Sequence, residues 1–306
     1  MRNTFADTFY EAGKRDKRLA VVVADISPAG SIQKFREDFP DRFVNTGVSE
    51  QIMIGMCAGM ALRGLQPFAY TIATFTLFRP FEFVRDDLCY QNLPVTVVGI
   101  GGGVTYSTLG GTHHAMEDVA VAAAIPNMTV IAPCDPAETR AATLWCAGQT
   151  RGPVYLRLGK AGEPDFTSKA PEPWEFGKLR YLKRGKDVCI LTYGPIMKVA
   201  AGLAERFEKA GKTVSVVSVH TLKPLDRDGI ADALKNHGQV VVIEEMVPRG
   251  SLAGQVKEIA WDRRARCRLD TFTLQDRFIH NYGSHQDLLA AHGLDLTSIS
   301  VALGLA

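Results

Sequence analysis

Val44-Asn45-Thr46-Gly47-Val48-Ser49-Glu50-Gln51 runs directly into an apolar stretch from Ile52 to Leu62. Phe43, Val44 and Asn45 read as a short strand, the next residues as a polar turn, and Glu50 as the start of a helix. Ile52, Met53, Ile54, Met56, Ala58, Met60 and Ala61 make that helix apolar nearly all round, which predicts an enclosed element rather than a half-wet one. Gly55 and Gly59 would let another backbone pass close. A carboxylate entering such a place must be paired, protonated or employed, because a bare buried charge is costly. The plainer reading of Glu50 is an acid favoured at a helix N-terminus by the macrodipole.

Outward from this unit the same rhythm repeats. Residues 19–24 form an unbroken apolar run that ends at Asp25, and 67–71, 95–100, 128–132 and 154–156 read as further strands. Helices are expected at 4–13, 31–38, 81–90, 117–124 and 136–147. Strands apolar on both faces alternating with helices predict an α/β fold with a mostly parallel, doubly wound sheet. Residues 162–185 hold Pro164, Pro171 and Pro173 among charges and read as a linker. Beyond it the rhythm restarts, with strands at 188–192, 213–219, 240–244 and 269–274. The expected organisation is therefore a first domain over 1–161, a linker over 162–185 and a smaller α/β domain over 186–306.

With 306 residues, 46% hydrophobic and 22% charged, the chain reads as a globular protein with sizeable cores. Its net charge of +2 points to neither nucleic acid nor a membrane surface. The N-terminus lacks the apolar core of a signal peptide. The six cysteines form no CxxC pair, so the expectation is a reduced, cytoplasmic protein without a disulfide frame or metal site.

Ligands of open parallel sheets bind outside the carboxyl ends of the strands. The segments placed there are 25–30, 46–50, 73–78, 101–114 and 157–160, a composite site with Asp25, Ser27, His113 and His114 as substrate candidates. Arg157 and Lys160 at the end of the last strand could bind an anion or be solvated strand-end charges. Gly101-Gly102-Gly103 lacks the dinucleotide spacing, and neither a P-loop nor a GxSxG elbow occurs. Adjacent His113 and His114 do not point at one metal. Phe75, Phe78 and Phe81, spaced by three, suit either a helical core stripe or an aromatic shelf for a flat ring.

The run Gly47-Val48-Ser49-Glu50-Gln51 with its helix, then Thr74-Phe75-Thr76-Leu77-Phe78, Gly110-Gly111-Thr112-His113 and Ile125-Pro126-Asn127 through Asp135, resembles the transketolase family. Lys223-Pro224-Leu225-Asp226 and Val242-Ile243-Glu244-Glu245 extend the likeness over essentially the whole chain. The match is closest to the carboxyl-terminal half found as a separate chain in split transketolases. That resemblance implies a pyrimidine-binding domain for thiamine diphosphate, followed by a C-terminal domain that chiefly supports assembly. Glu50 falls on the carboxylate that hydrogen-bonds and exchanges a proton with the cofactor's aminopyrimidine. Phe75 and Phe78 fall on the ring-stacking positions, with Phe81 alongside. His113 matches an active-site histidine that would act as donor or proton shuttle near the substrate oxygen.

The family's Gly-Asp-Gly…Asn pattern, which holds Mg²⁺ and the diphosphate, is absent. The resemblance therefore implies a second subunit that carries those ligands, in an α2β2 heterotetramer. The sugar-reading positions also depart from the pattern. Thr108-Leu109-Gly110 stands where the family has Gly-Glu-Asp-Gly, so Leu109 replaces the hydroxyl-reading acid. Gly101 replaces a histidine, Ala29 a phosphate-binding serine, and His114 a glutamine. The reading is a transketolase-like subunit that transfers a two-carbon ketol or acyl unit to an aldehyde, with an unusual donor or acceptor. The alternatives are a deoxyxylulose-phosphate-synthase-like or 2-oxoacid-decarboxylating subunit, and a non-catalytic regulatory subunit.

Overall fold

β-Branched and other apolar residues fill both faces of the central strands, so each strand needs helices on two sides. The computed structural model describes residues 1–26 and 30–305. In chain order its strands are β1 (Leu19–Val23), β2 (Phe43–Asn45), β3 (Gln66–Ile72), β4 (Thr96–Ile100), β5 (Thr129–Ile131), β6 (Val154–Leu158), β7 (Arg180–Lys183), β8 (Val188–Thr192), β9 (Val214–Ser218), β10 (Thr221–Lys223), β11 (Gln239–Ile243) and β12 (Arg268–Phe272). They form a seven-stranded sheet in the order β10-β5-β6-β4-β3-β1-β2 and a five-stranded sheet in the order β12-β11-β8-β9-β7. Only β10 against β5 and β7 against β9 pair antiparallel among the described strands. The protein is thus mixed α/β with two mostly parallel sheets, as the alternating pattern predicted.

The two-residue period of β1 sorts its side chains. Leu19, Val21 and Val23 pack with Phe5, Phe9 and Phe35 on one face, while Val22 joins Met53, Ile54 and Cys57 of the Glu50–Leu62 helix on the other. That helix is therefore pinned under the carboxyl end of β1, which is what sets the position of Glu50.

Four features depart from the expectation. Strand β7 lies inside the stretch read as a linker and already belongs to the second sheet. Strand β10 comes from the second half of the chain yet extends the first sheet. A short helix, Ala73–Leu77, follows β3 directly. Finally, the Glu50–Leu62 helix is not enclosed: Ile52, Met56 and Leu62 are 56%, 37% and 62% exposed, so its outer face is open in the single chain. Among the described residues, no helix is long and apolar enough to cross a membrane.

Two buried carboxylates tie the sheets together. Glu245, just after β11, accepts the Val104 N–H at 2.7 Å and pairs with His285 Nε2 at 2.8 Å. Glu138 accepts from Ser218 Oγ at 2.9 Å.

Candidate active site

At the carboxyl end of β1 the backbone is held by side chains of the next loop. Asn45 Oδ1 accepts the N–H groups of Asp25 at 3.1 Å and Gly47 at 3.0 Å, and Thr46 Oγ1 donates to the Val23 carbonyl at 3.2 Å. This places Glu50 on the first helical turn, only 2% exposed. Glu50 Oε1 accepts from Arg79 Nη1 at 2.7 Å, whereas Oε2 is buried without a partner among the described residues. Leaving a buried carboxylate oxygen unpaired costs about 1–3 kcal/mol or more. It is an acceptor, or when protonated a donor, with nothing among the described residues to meet it.

The remaining site residues follow one after another. The Arg79 guanidinium lies 4.5 Å from the centroid of the Phe75 ring. Phe75 meets the His113 ring edge-on at 5.2 Å, and His113 lies 6.2 Å from Tyr106. Lys160 Nζ sits 5.1 Å above the Tyr106 face. The structure therefore gathers Glu50, Phe75, His113 and Lys160 along one edge, with Arg79 and Tyr106 between them. His113 Nδ1 is 2.9 Å from Thr112 Oγ1, with the proton on either group according to the tautomer. Burial, and then the neighbouring His114, lower the His113 pKa and favour neutral imidazole.

The triple glycine explains the shape of this edge. A Cβ at Gly101 would lie 2.2 Å from the Tyr106 ring, one at Gly102 2.3 Å from Arg157 Nε, and one at Gly103 2.3 Å from Glu245 Oε1. Gly101 and Gly103 also adopt φ of +74° and +67°, where a side chain is strained. Tyr106 thus fills the space beside Gly101, and no larger residue fits there without displacing it.

Several sequence expectations need correction. Arg157 does not reach the open edge. It is buried, its Nε donates to Asp118 Oδ2 at 2.8 Å and its Nη2 to the Glu245 carbonyl at 3.0 Å. Burial opposes its charge, but Asp118 first among its neighbours holds the pKa above the ordinary arginine value. Its position in β6 between Asp118 and the second domain makes it a clamp, buried away from the open edge. The three phenylalanines do not make one shelf, because the chain breaks at Arg79-Pro80 between two short helices. Phe75 faces His113, Phe81 is 40% exposed at the next helix start, and Phe78 lines a separate cavity of about 390 Å³. Thr74, Thr112, His114, Glu117 and Phe278 share that cavity, and Thr74 Oγ1 is buried there without a partner. His114 is buried behind the loop, its Nε2 3.3 Å from the Ser107 carbonyl. Asp25 is exposed at the end of β1 with φ +44°. Ser27 and Ala29 lie outside the described residues.

Sequence reasoning missed Arg79 and Tyr106. The available signal for Arg79 was its place one helical turn after Phe75, where side chains four apart meet. Tyr106 stood in the loop before His113 without a motif to single it out.

Known proteins resemble this chain along nearly its whole length. Residues 1–162 match the family described as transketolase, pyrimidine binding domain, and residues 177–299 match transketolase, C-terminal domain. The chain is 30% identical over 298 residues to one of the subunits of apulose-4-phosphate transketolase from Phocaeicola vulgatus, covering 97% of this chain and 94% of that one. It is 34% identical over 258 residues to the 6-deoxy-6-sulfo-D-fructose transketolase subunit SqwH of a Clostridium species, covering 84% and 80%. A solved structure described as a split gene transketolase, inactive beta4 tetramer, superposes with a TM-score of 0.88 at 33% identity over 99% of this chain and 98% of that chain. The chain therefore belongs to the transketolase family, among the separate subunits that pair a pyrimidine-binding domain with a transketolase C-terminal domain.

Proposed function

We propose that this protein is the pyrimidine-binding subunit of a two-chain, thiamine-diphosphate-dependent transketolase-like enzyme that transfers a two-carbon ketol unit to an aldehyde. The observation that carries this reading is Glu50: a buried carboxylate with one oxygen lacking a partner among the described residues, joined through Arg79 to the Phe75 ring and, beyond it, to His113. A flat heteroaromatic ring supplies the missing contact through a ring nitrogen and can stack on Phe75, so these residues fit the cofactor's aminopyrimidine. When bound, thiamine diphosphate supplies the nucleophilic carbon and the electron sink. Glu50 would hold and exchange the proton at the ring nitrogen, and Phe75 would stack the ring. His113, kept neutral, would donate to or accept from the substrate oxygen.

Among the described residues no three His, Cys, Asp or Glu side chains gather to hold a metal. We place Mg²⁺ and the diphosphate on the second subunit. Val48, Ile52 and Met56, exposed on and next to the helix that carries Glu50, supply an apolar face of the kind that interfaces bury. A partner that buries this face would cover the helix that carries Glu50. Ile52→Glu is expected to abolish the two-chain complex in sedimentation while leaving the single chain folded.

The substrate shell differs from a polyol reader. Leu109 is 51% exposed and offers no hydrogen bond, and Tyr106 occupies the space beside Gly101. A hydroxyl facing Leu109 would lose about 1–3 kcal/mol relative to one facing an acid. The names of two relatives, which give apulose 4-phosphate and 6-deoxy-6-sulfo-D-fructose, support an unusual donor, with Lys160 at its anionic end. The same missing acid favours a second reading, decarboxylation of a 2-oxoacid. Screening the two-chain complex with Mg²⁺ and the cofactor against ketose phosphates, sulfonated ketoses and pyruvate separates the two. Turnover of an anionic ketose supports the first, and turnover of pyruvate alone replaces it with the second.

A further inference from the structure

We propose that Arg79 is an internal occupant of the pyrimidine site, a side chain that holds the cofactor's place until cofactor and partner displace it. This rests on the assignment of Glu50 and Phe75 to the cofactor. A guanidinium is flat, carries a fork of N–H donors and stacks on aromatic faces. Arg79 uses both properties at once: Nη1 donates to Glu50 Oε1 at 2.7 Å, and the guanidinium carbon lies 4.5 Å over the Phe75 ring. An aminopyrimidine needs contacts of the same two kinds from this chain, one polar to the carboxylate and one stacked on the ring. Both cannot be made by two groups together on the same Phe75 face.

Three further features fit a removable group rather than a structural ion pair. The Arg79 side chain is 42% exposed while Glu50 is 3%, so the arginine can leave to solvent and the carboxylate cannot. Arg79 stands at the break between the Ala73–Leu77 and Phe81–Phe83 helices, where rotation disturbs no helix interior. Its pairing satisfies only one oxygen of Glu50 and leaves Oε2 open. By contrast the Arg157–Asp118 pair is buried at both ends, 2% and 0%, and has no route out.

Arg79 is in this way a competitor of the cofactor. Closing a site lowers apparent affinity by the fraction of molecules that remain open, so removing the competitor tightens binding. The test is equilibrium binding of thiamine diphosphate with Mg²⁺ to the two-chain complex, read by tryptophan quenching or calorimetry rather than by turnover. The expected result is that Arg79→Ala binds about 5- to 30-fold more tightly than wild type, and that Arg79→Lys, which keeps the charge without the flat fork, falls between. Glu50→Gln is expected to bind more weakly than wild type. If Glu50→Gln weakens binding while Arg79→Ala is unchanged or weaker, the cofactor assignment stands and the competing role of Arg79 is overturned. If Glu50→Gln binds as wild type does, Glu50 is not in the cofactor site and both assignments fall. Thermal unfolding of the single chain guards against misfolding: Arg79→Ala should lower the midpoint by stranding Glu50, and adding Glu50→Gln should restore it.

Discussion

Arg157 and Lys160 stand three positions apart at one strand end and do opposite things. Breaking one side of a buried ion pair strands the other charge, so Arg157→Ala is expected to cost about 3–5 kcal/mol of stability, measured from the denaturant midpoint. Lys160 is exposed, and Lys160→Ala should change stability by less than about 0.5 kcal/mol. It should instead raise KM for an anionic substrate with little change for a neutral analogue. His113 offers a pH test. Its folded pKa lies below the ordinary 6.5, so the unfolded chain takes up this proton first as pH falls. That uptake erodes stability below about pH 6.5 and down to the folded value. His113→Gln should flatten this part of the acid limb in a series of thermal midpoints, and an unchanged limb would show that His113 does not carry it.

Among the elements, β10 shows best what a sequence does and does not disclose. Helix 31–38 and strands 43–45 and 188–192 were legible residue for residue, and Asp226 caps the Arg227–Asn236 helix by accepting the Gly229 N–H. β7 and β10 were not legible. They are short, carry Arg180, Lys183 and Lys223, and exist only through pairing with distant segments. At the site, Glu50, Phe75 and His113 could be singled out because family spacing marks them. Arg79 and Tyr106 take their places from tertiary packing, and Arg157 was misplaced because strand position alone does not reveal a buried Asp118. Lys223 links both lessons: its Nζ donates to the carbonyls of Ala123 and Ile125 at 2.8 and 2.6 Å, at the end of the Asp118–Ala124 helix. Cations at helix C-termini contribute up to about 2 kcal/mol, so Lys223→Met should lower the unfolding free energy by roughly 1–2 kcal/mol.

The whole molecule depends on contacts between its two sheets. Glu245 makes one of them by accepting the Val104 N–H, and its pair with His285 of its own domain gives that carboxylate a pH window. The Glu245 charge raises the pKa of His285 against the opposing effect of burial. Burial alone would raise that of Glu245, but His285 and Arg157 bring it below its ordinary value. The histidine's contribution is complete below 6.5 and is lost as pH rises through its folded value. The carboxylate's contribution is present above 4.5 and is lost as pH falls through its folded value. Thermal midpoints of His285→Gln against wild type should therefore differ most between pH 4.5 and 6.5 and converge in alkali.

At this scale the chain also presents an unfinished site: among the described residues Glu50 Oε2 has no partner, and the helix that carries it has an exposed apolar face. The central claim is that this chain grips only the pyrimidine end of a cofactor whose other end a second subunit holds. The most direct test is thiamine diphosphate binding, with Mg²⁺, to the chain alone, to the second subunit alone and to the mixture, each with wild-type and Glu50→Gln protein. Tight binding is predicted in the mixture only, weakened by Glu50→Gln. Equally tight binding to the second subunit alone, or a mixture indifferent to Glu50→Gln, would contradict the claim.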